Sequence, residues 1–226
     1  MFAGISSGRL DELMARSALI HLDADEILYS AGAPADRVFV GTSGAIQIEY
    51  PEPGEVRGLV AAMLAAPFFL GECQVLHGRP WSGTAVAVVP VTAVGLHRAA
   101  LEQLIVEEPQ VALRLYRELS LRFLRAIDAW KKQPTRTPAQ ALARYVIGYV
   151  DLQRRHGAGD EIKIRQVDLG RAAGLRRETV NRLLRGWVEE GRLEVTPKGL
   201  SRIDVERVAE LLHPNDVEVV QTIDLT

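Results

Sequence analysis

The sequence predicts an α+β fold in three parts: an N-terminal domain of short strands, one long helix, and a compact C-terminal helical domain. Three observations carry that expectation. β-type runs broken by turn residues fill the stretch from Ile20 to Leu96, an unbroken helical period runs from Pro109 to Gln133, and two short helical patterns flank Gly174. A length of 226 residues suits one large or two modest domains, at about 100–200 residues per domain. The composition, 47% hydrophobic and 25% charged, is that of a folded rather than a disordered chain.

Taken in order, residues 1–16 read as a short amphipathic helix in which Ser7 caps a turn leading to Leu10, Leu13 and Met14. Strand-like runs follow at Glu26–Tyr29, Val38–Val40, Ala45–Ile48, Gly58–Val60 and Thr84–Val88. Gly32-Ala33-Pro34, Ser43-Gly44, Pro51-Glu52-Pro53-Gly54 and Gly78-Arg79-Pro80 punctuate them. Many short strands at this spacing point to an all-β sandwich or barrel such as a jelly roll. From Pro109 the period turns helical: Ala112, Tyr116, Leu119, Phe123, Ala126 and Trp130 alternate in steps of four and three, a heptad-like seam. Leu115, Leu121, Leu124 and Ile127 widen the apolar surface beyond one stripe. Such a helix packs on its own domain with one side and on something else with the other; a dimer seam at Tyr116, Leu119, Phe123 and Trp130 and a core helix of a larger monomer are the two readings. The polar, proline-broken Lys131–Arg136 segment marks a boundary. Thr137 then reads as a helix N-cap, Pro138 as the first helical residue and Gln140 as the partner in a capping box. The expected domains are 1–108, 109–133 and 134–226.

The sharpest signal lies between Lys163 and Arg185. Seven basic residues (Lys163, Arg165, Arg171, Arg176, Arg177, Arg182 and Arg185) face two acids, Asp168 and Glu178, in a chain whose net charge is −2. Gly174 sits where the tight turn of a helix-turn-helix belongs, and Ala172 and Ala173 are small enough for close helix approach. Val180, Leu183 and Leu184 can face a core, leaving Arg177, Glu178 and Arg182 on the exposed side. Arginine can donate two parallel hydrogen bonds to guanine O6 and N7, and a carboxylate can accept from the cytosine amino group. Other arginines can hold phosphates and set the register. Downstream, Gly191–Ile203 resembles a two-stranded wing with a Pro197-Lys198-Gly199 tip. The plain alternative is a solvated basic helix pair; turn, spacing and wing together favour double-stranded DNA as partner.

With these residues in place the chain resembles the Crp/Fnr superfamily of bacterial transcription regulators over nearly its whole length. Leu28–Gly32 and Val38–Ile46 look like the family's β-roll glycine pattern, Leu70-Gly71-Glu72 like the start of its phosphate-binding cassette. Arg177-Glu178-Thr179-Val180 and Arg182 match its recognition-helix motif. The resemblance implies a cyclic-nucleotide-binding-like β-roll, a long dimerisation helix and a winged helix-turn-helix, assembled as a homodimer on a palindromic operator. It implies DNA contacts at Arg177, Glu178, Thr179 and Arg182, and the basic residues Arg176 and Lys198 are expected to hold phosphates. Contact with RNA polymerase is a further partner of such regulators and has no spacing signature. Relatives often carry serine where Arg176 stands; arginine cannot cap the recognition helix.

The implied effector pocket is Gly71, Glu72, Ser82, Gly83, Ala126 and Ile127, and here the chain departs from the family. Cyclic-nucleotide binders place Arg-Ser or Arg-Thr where this chain has Ser82-Gly83, so the guanidinium suited to a phosphate is missing. The positions that offer hydroxyls to adenine are Ala126 and Ile127, which cannot hydrogen-bond through their side chains. Gating by ordinary cyclic AMP is therefore not expected. Glu72 remains, Arg57 and Arg79 could approach a displaced anion, and Trp81 is expected to fill or lid the pocket. Haem, which some relatives bind, is an alternative cofactor resting on Cys73, His77 and His97.

A lone cysteine, Cys73, excludes an intramolecular disulfide, a cysteine-rich zinc site and an iron–sulfur cluster held by this chain alone. No metal site is expected. The sequence around Ser82, with His97 and Asp128, lacks a nucleophile-elbow pattern, and Walker-type, dinucleotide and zinc-protease spacings are absent, so no catalytic residues are expected. The first fifteen residues lack the basic and apolar regions of a secretory signal, and no apolar run approaches the ~18–20 residues that cross a bilayer. A cytoplasmic protein with no membrane partner is the expectation. The competing function is a ligand- or haem-sensing signalling protein whose helix-turn-helix is a protein-interaction module.

Overall fold

The computed structural model describes residues 5–51, 59–132, 137–155, 166–197 and 199–212. Helix α1 (Ser7–Ala15) leads into six antiparallel strands: β1 (Ser17–Leu22), β2 (Ile27–Tyr29), β3 (Arg37–Tyr50), β4 (Leu59–Ala65), β5 (Phe68–Leu70) and β6 (Thr84–His97). A short helix α2 (Glu72–His77) lies between β5 and β6. Ser6 takes the N-cap position of α1 without a side-chain capping bond; the expectation that Ser7 caps this helix is corrected, and Ser7 is its first residue.

Two long strands organise the roll. β6 pairs β1 from Ser17↔Leu96 to Leu22↔Val91, and pairs β3 from Arg37↔His97 to Glu49↔Thr84. β3 in turn carries β5 at one end and β4 at the other. Ser43-Gly44, expected to end a strand, lies inside β3, where the register with β6 shifts repeatedly between Gly41 and Ile46. Gly44 has φ +85°, and a Cβ there would sit 2.1 Å from the Pro90 carbonyl oxygen. A bulge at glycine bends the strand without ending it. The runs Val38–Val40 and Ala45–Ile48 are thus one strand, and the roll closes around Ile46, Phe68, Ala85, Ala87, Val91 and Ala93. A second core holds Val38, Phe39, Val75, Trp81, Leu96 and Leu101.

Helices α3 (Arg98–Glu107) and α4 (Pro109–Lys132) follow. Val111 and Leu115 are buried and fix the inward face of α4, which continues at the helical repeat through Glu118 to Arg122. About a quarter-turn away the apolar residues are uncovered in the single chain: Tyr116 is 70% exposed and Phe123 67%. Leu119 is half-buried between them, and the side chain of Trp130 lies outside the described residues.

Helix α5 (Pro138–Arg155) begins with the expected capping box: the Gln140 N–H donates to Thr137 Oγ1 at 3.2 Å and the Thr137 N–H donates to Gln140 Oε1 at 2.9 Å. Helices α6 (Gln166–Ala173) and α7 (Arg177–Glu189), strands β7 (Glu194–Thr196) and β8 (Gly199–Ser201), and helix α8 (Val205–Ala209) complete the chain. Their core is built on Leu142, Val146, Val150, Leu169, Val180, Leu184 and Trp187. Met63 of β4 and Val88 of β6 pack against this core, and Leu152 of α5 packs with Ala45 and Val89 of the roll. Among the described residues no helix is long and apolar enough to cross a membrane.

Candidate nucleic-acid interface and effector pocket

The helix-turn-helix is assembled by two glycines. Gly174 has φ +66°, a left-handed conformation that glycine adopts at no steric cost. The Leu175 N–H donates to the Gly170 carbonyl at 2.7 Å, and a Cβ on Gly170 would come within 2.7 Å of the Leu175 oxygen. A side chain at either position opposes the turn that sets α7 against α6. Arg176 is the N-cap of α7 and makes no side-chain capping bond, as its chemistry requires. Val180, Leu184 and Trp187 form the buried stripe, while Leu183 is half-buried. Arg176, Arg177, Glu178, Arg182 and Arg185 are exposed on the opposite face and Thr179 is half-buried. A groove along this face is lined by Glu178, Asn181, Arg182, Arg185, Gly186 and Glu189.

The chemistry of that face is donor-rich and planar. Each guanidinium offers a rigid fork of N–H donors, and Glu178 adds an acceptor in the first turn of the helix. Beside it, β7 and β8 pair from Glu194↔Ser201 to Thr196↔Gly199 and form the wing. An exposed ion pair at 2.8 Å joins Glu194 of β7 to Arg202, the residue after β8. Lys198, at the wing tip, lies outside the described residues. Asn181 and Arg185 are additions that the motif match missed; their spacing of three and seven from Glu178 was the available signal.

In the β-roll, the cassette residues surround a filled centre. Trp81 is 5% exposed and stacks on Tyr29 with ring centroids 3.8 Å apart, Phe39 lying 6.0 Å away. Its backbone is held on both sides: the Gly32 N–H donates to the Trp81 carbonyl at 2.8 Å, and the Trp81 N–H donates to the Ala33 carbonyl at 3.0 Å. Gly71, with φ +101°, starts α2, and a Cβ there would meet the Trp81 ring at 2.7 Å. Gly83 backs onto β3, where a Cβ would lie 2.9 Å from the Glu49 carbonyl. Ser82 accepts from Gln74 Nε2 at 3.0 Å, a neutral link from α2 at the position where the family's nucleotide binders carry arginine.

Glu72 is 3% exposed. Arg122 of α4 donates to its Oε1 at 2.7 Å and to the Phe69 carbonyl at 2.9 Å. Glu72 Oε2 and Arg122 Nε are buried without a partner in the described structure. Burial pushes the Glu72 carboxyl above its ordinary 4.5, with the Arg122 charge pulling the other way. Burial first, and then the charge of Glu72, raises the Tyr29 phenol well above its ordinary 10.0. The structure thus brings together Gly71, Glu72, Trp81 and Arg122. Ala126 is exposed on α4 and Ile127 half-buried, and it is Arg122, on the inward stripe, that reaches the cassette. Arg122 was missed in the sequence because its signal was its spacing of seven from the buried Leu115. Arg79 is exposed and Arg57 lies outside the described residues. Cys73 and His77 are exposed on α2, whereas His97 ends β6 with its ring 3.7 Å from the Asp36 carboxylate. Among the described residues no group of three His, Cys, Asp or Glu could hold a metal ion.

The comparisons agree with this architecture. Residues 19–108 match the cyclic nucleotide-binding domain model and residues 140–213 the Crp-like helix-turn-helix domain model. A "CRP-like cAMP-activated global transcriptional regulator" of Mycobacterium tuberculosis is 24% identical over 220 residues, covering 92% of this chain and 94% of the relative. Among solved structures, a protein of the Crp/Fnr family from Eubacterium rectale superposes with a TM-score of 0.76 at 13% identity, over 92% of this chain and 94% of that one. The c-di-GMP-responsive global regulator CLP of Xanthomonas campestris gives 0.70 at 17% identity, over 88% and 99%. Both domain models in this order on one chain, with a relative matched over 94% of its own length, carry the assignment: the chain belongs to the Crp/Fnr family of transcription regulators.

Proposed function

We propose that this DNA-binding regulator acts as a homodimer, joined along α4, whose two α7 helices read the half-sites of a roughly palindromic operator. On this reading residues 1–108 form the effector-type β-roll, 109–133 the dimerisation helix and 134–226 the DNA-binding domain. The observation that carries it is the division of α7 into a buried stripe, Val180, Leu184 and Trp187, and an exposed face holding Arg177, Glu178 and Arg182. Arg177, Glu178 and Arg182 read bases, Arg176 and Lys198 hold phosphates, and Thr179 is a further contact. The uncovered apolar residues Tyr116 and Phe123 on α4 support the dimer. Exposed apolar residues on a helix that already packs inward through Val111 and Leu115 are the mark of an interaction surface.

Cyclic AMP, named for the mycobacterial relative, does not gate this chain on our reading. Trp81 fills the roll, Ser82 stands in place of the phosphate-binding arginine, and Arg122 engages the Glu72 carboxylate. The test is selection of sites from a random duplex pool by the full-length protein, with and without cyclic AMP. A palindromic consensus with half-site centres about one helical turn, ~10 bp, apart is expected, unchanged by the nucleotide. Arg177→Ala should then cost about 1–3 kcal/mol on the selected site and relax one base pair. Equal loss on every duplex would refute base reading by Arg177.

A further inference from the structure

We propose that Asn181 reads an adenine in each half-site; the proposal rests on α7 being the groove-facing helix. Asn181 lies four residues after Arg177 and three after Glu178, on the same side of the helix. It lines the exposed groove with Glu178, Arg182 and Arg185, among the side chains that this reading turns towards a duplex.

Its chemistry differs from that of every neighbour there. The glutamates of the groove only accept hydrogen bonds and the arginines only donate. Asn181 alone among the lining side chains carries a donor and an acceptor together, the pair that matches adenine N6–H and N7. A helix face with arginine and glutamate can choose guanine or cytosine; the carboxamide adds the complementary option at a third base pair.

The fold makes no use of the amide oxygen. Asn181 Oδ1 is buried and has no hydrogen-bond partner in the described structure, although asparagine in mid-helix is a poorer helix former than alanine. A buried acceptor with no partner is the exception in folded proteins. Rotation about the side-chain torsions turns the oxygen out of the helix surface and breaks no bond that Oδ1 makes. An exocyclic adenine N–H would satisfy it, and the amide nitrogen would donate to N7.

The experiment is duplex-pool selection with the full-length protein as wild type, Asn181→Ala and Asn181→Asp, followed by titration of the selected site and its single-base-pair variants. The wild type is expected to discriminate against replacement of one A·T pair per half-site by roughly 5- to 150-fold, the range for a bidentate contact. Asn181→Ala should abolish that preference and leave those set by Arg177, Glu178 and Arg182. Asn181→Asp, which only accepts, should move the preference from adenine towards cytosine. An Asn181→Ala consensus identical to wild type would overturn the proposal while leaving the α7 reading intact. A wild type that yields no consensus at all would overturn both. The melting temperature of Asn181→Ala is expected to be no lower than that of wild type, because alanine is the better helix former and the variant removes a buried acceptor that makes no hydrogen bond.

Discussion

Arg122→Met isolates the pairing between the long helix and the cassette. The substitution keeps an apolar stem on α4 and removes both the 2.7 Å contact to Glu72 and the 2.9 Å bond to the Phe69 carbonyl. An unpaired buried carboxylate is costly, typically about 3–5 kcal/mol when its partner is deleted, but Glu72 can escape by taking up a proton. From its ordinary value of 4.5 to pH 7 is about 2.5 pH units, or at ~1.36 kcal/mol each a ceiling of about 3.4 kcal/mol. Burial has already raised the group, which lowers that ceiling, and the lost bond to Phe69 adds about 1 kcal/mol. The expected cost at pH 7 is therefore roughly 2–4 kcal/mol.

The pH dependence carries the sign. An acid whose folded value lies above its unfolded value binds more protons in the folded state, so stability falls as pH rises from 4.5 through the raised value. Without Arg122 the value rises further and the window widens upwards. The variant should thus be much closer to wild type at pH 5 than at pH 7, the proton-uptake ceiling shrinking by about 2.7 kcal/mol over those two units. Urea unfolding at both pH values, followed by circular dichroism, measures this. The double variant Glu72→Gln/Arg122→Met should lose the extra pH dependence. Equal destabilisation at pH 5 and pH 7 would refute the role given to the pair.

Two further outcomes follow from the same geometry. Phe123→Glu puts a charge into the uncovered apolar face of α4 and should cost several kcal/mol of association; sedimentation velocity should show dimer for wild type and monomer for the variant at micromolar concentration, and an unaffected dimer would remove Phe123 from the seam. Trp81→Ala deletes a 5%-exposed ring stacked on Tyr29 and should cost about 3–5 kcal/mol, read from the urea midpoint. Calorimetry on that variant should still show no micromolar cyclic-AMP binding, because Ser82 supplies no positive charge for the phosphate.

Local pattern and global assembly divided the work in this chain. The capping box at Thr137–Gln140, the turn at Gly174, the polar and apolar faces of α7 and the wing were legible because each is set by interactions within a few residues. The same holds for the recognition-helix motif, whose side chains keep a fixed helical spacing whatever surrounds them. The bulge at Gly44 was not legible: a glycine that ends a strand and a glycine that bends one differ only in what the backbone meets, here the Pro90 carbonyl across the sheet. The missing phosphate arginine could be read at Ser82, but not that Arg122, fifty residues from Glu72, would take up the carboxylate. That pairing depends on which face α4 turns inward, and Val111 and Leu115 are buried on that face. Asn181 reads as an ordinary polar residue of a helix; only the tertiary structure leaves its oxygen buried and unpartnered, because satisfaction of a hydrogen bond is a property of the neighbours and not of the residue.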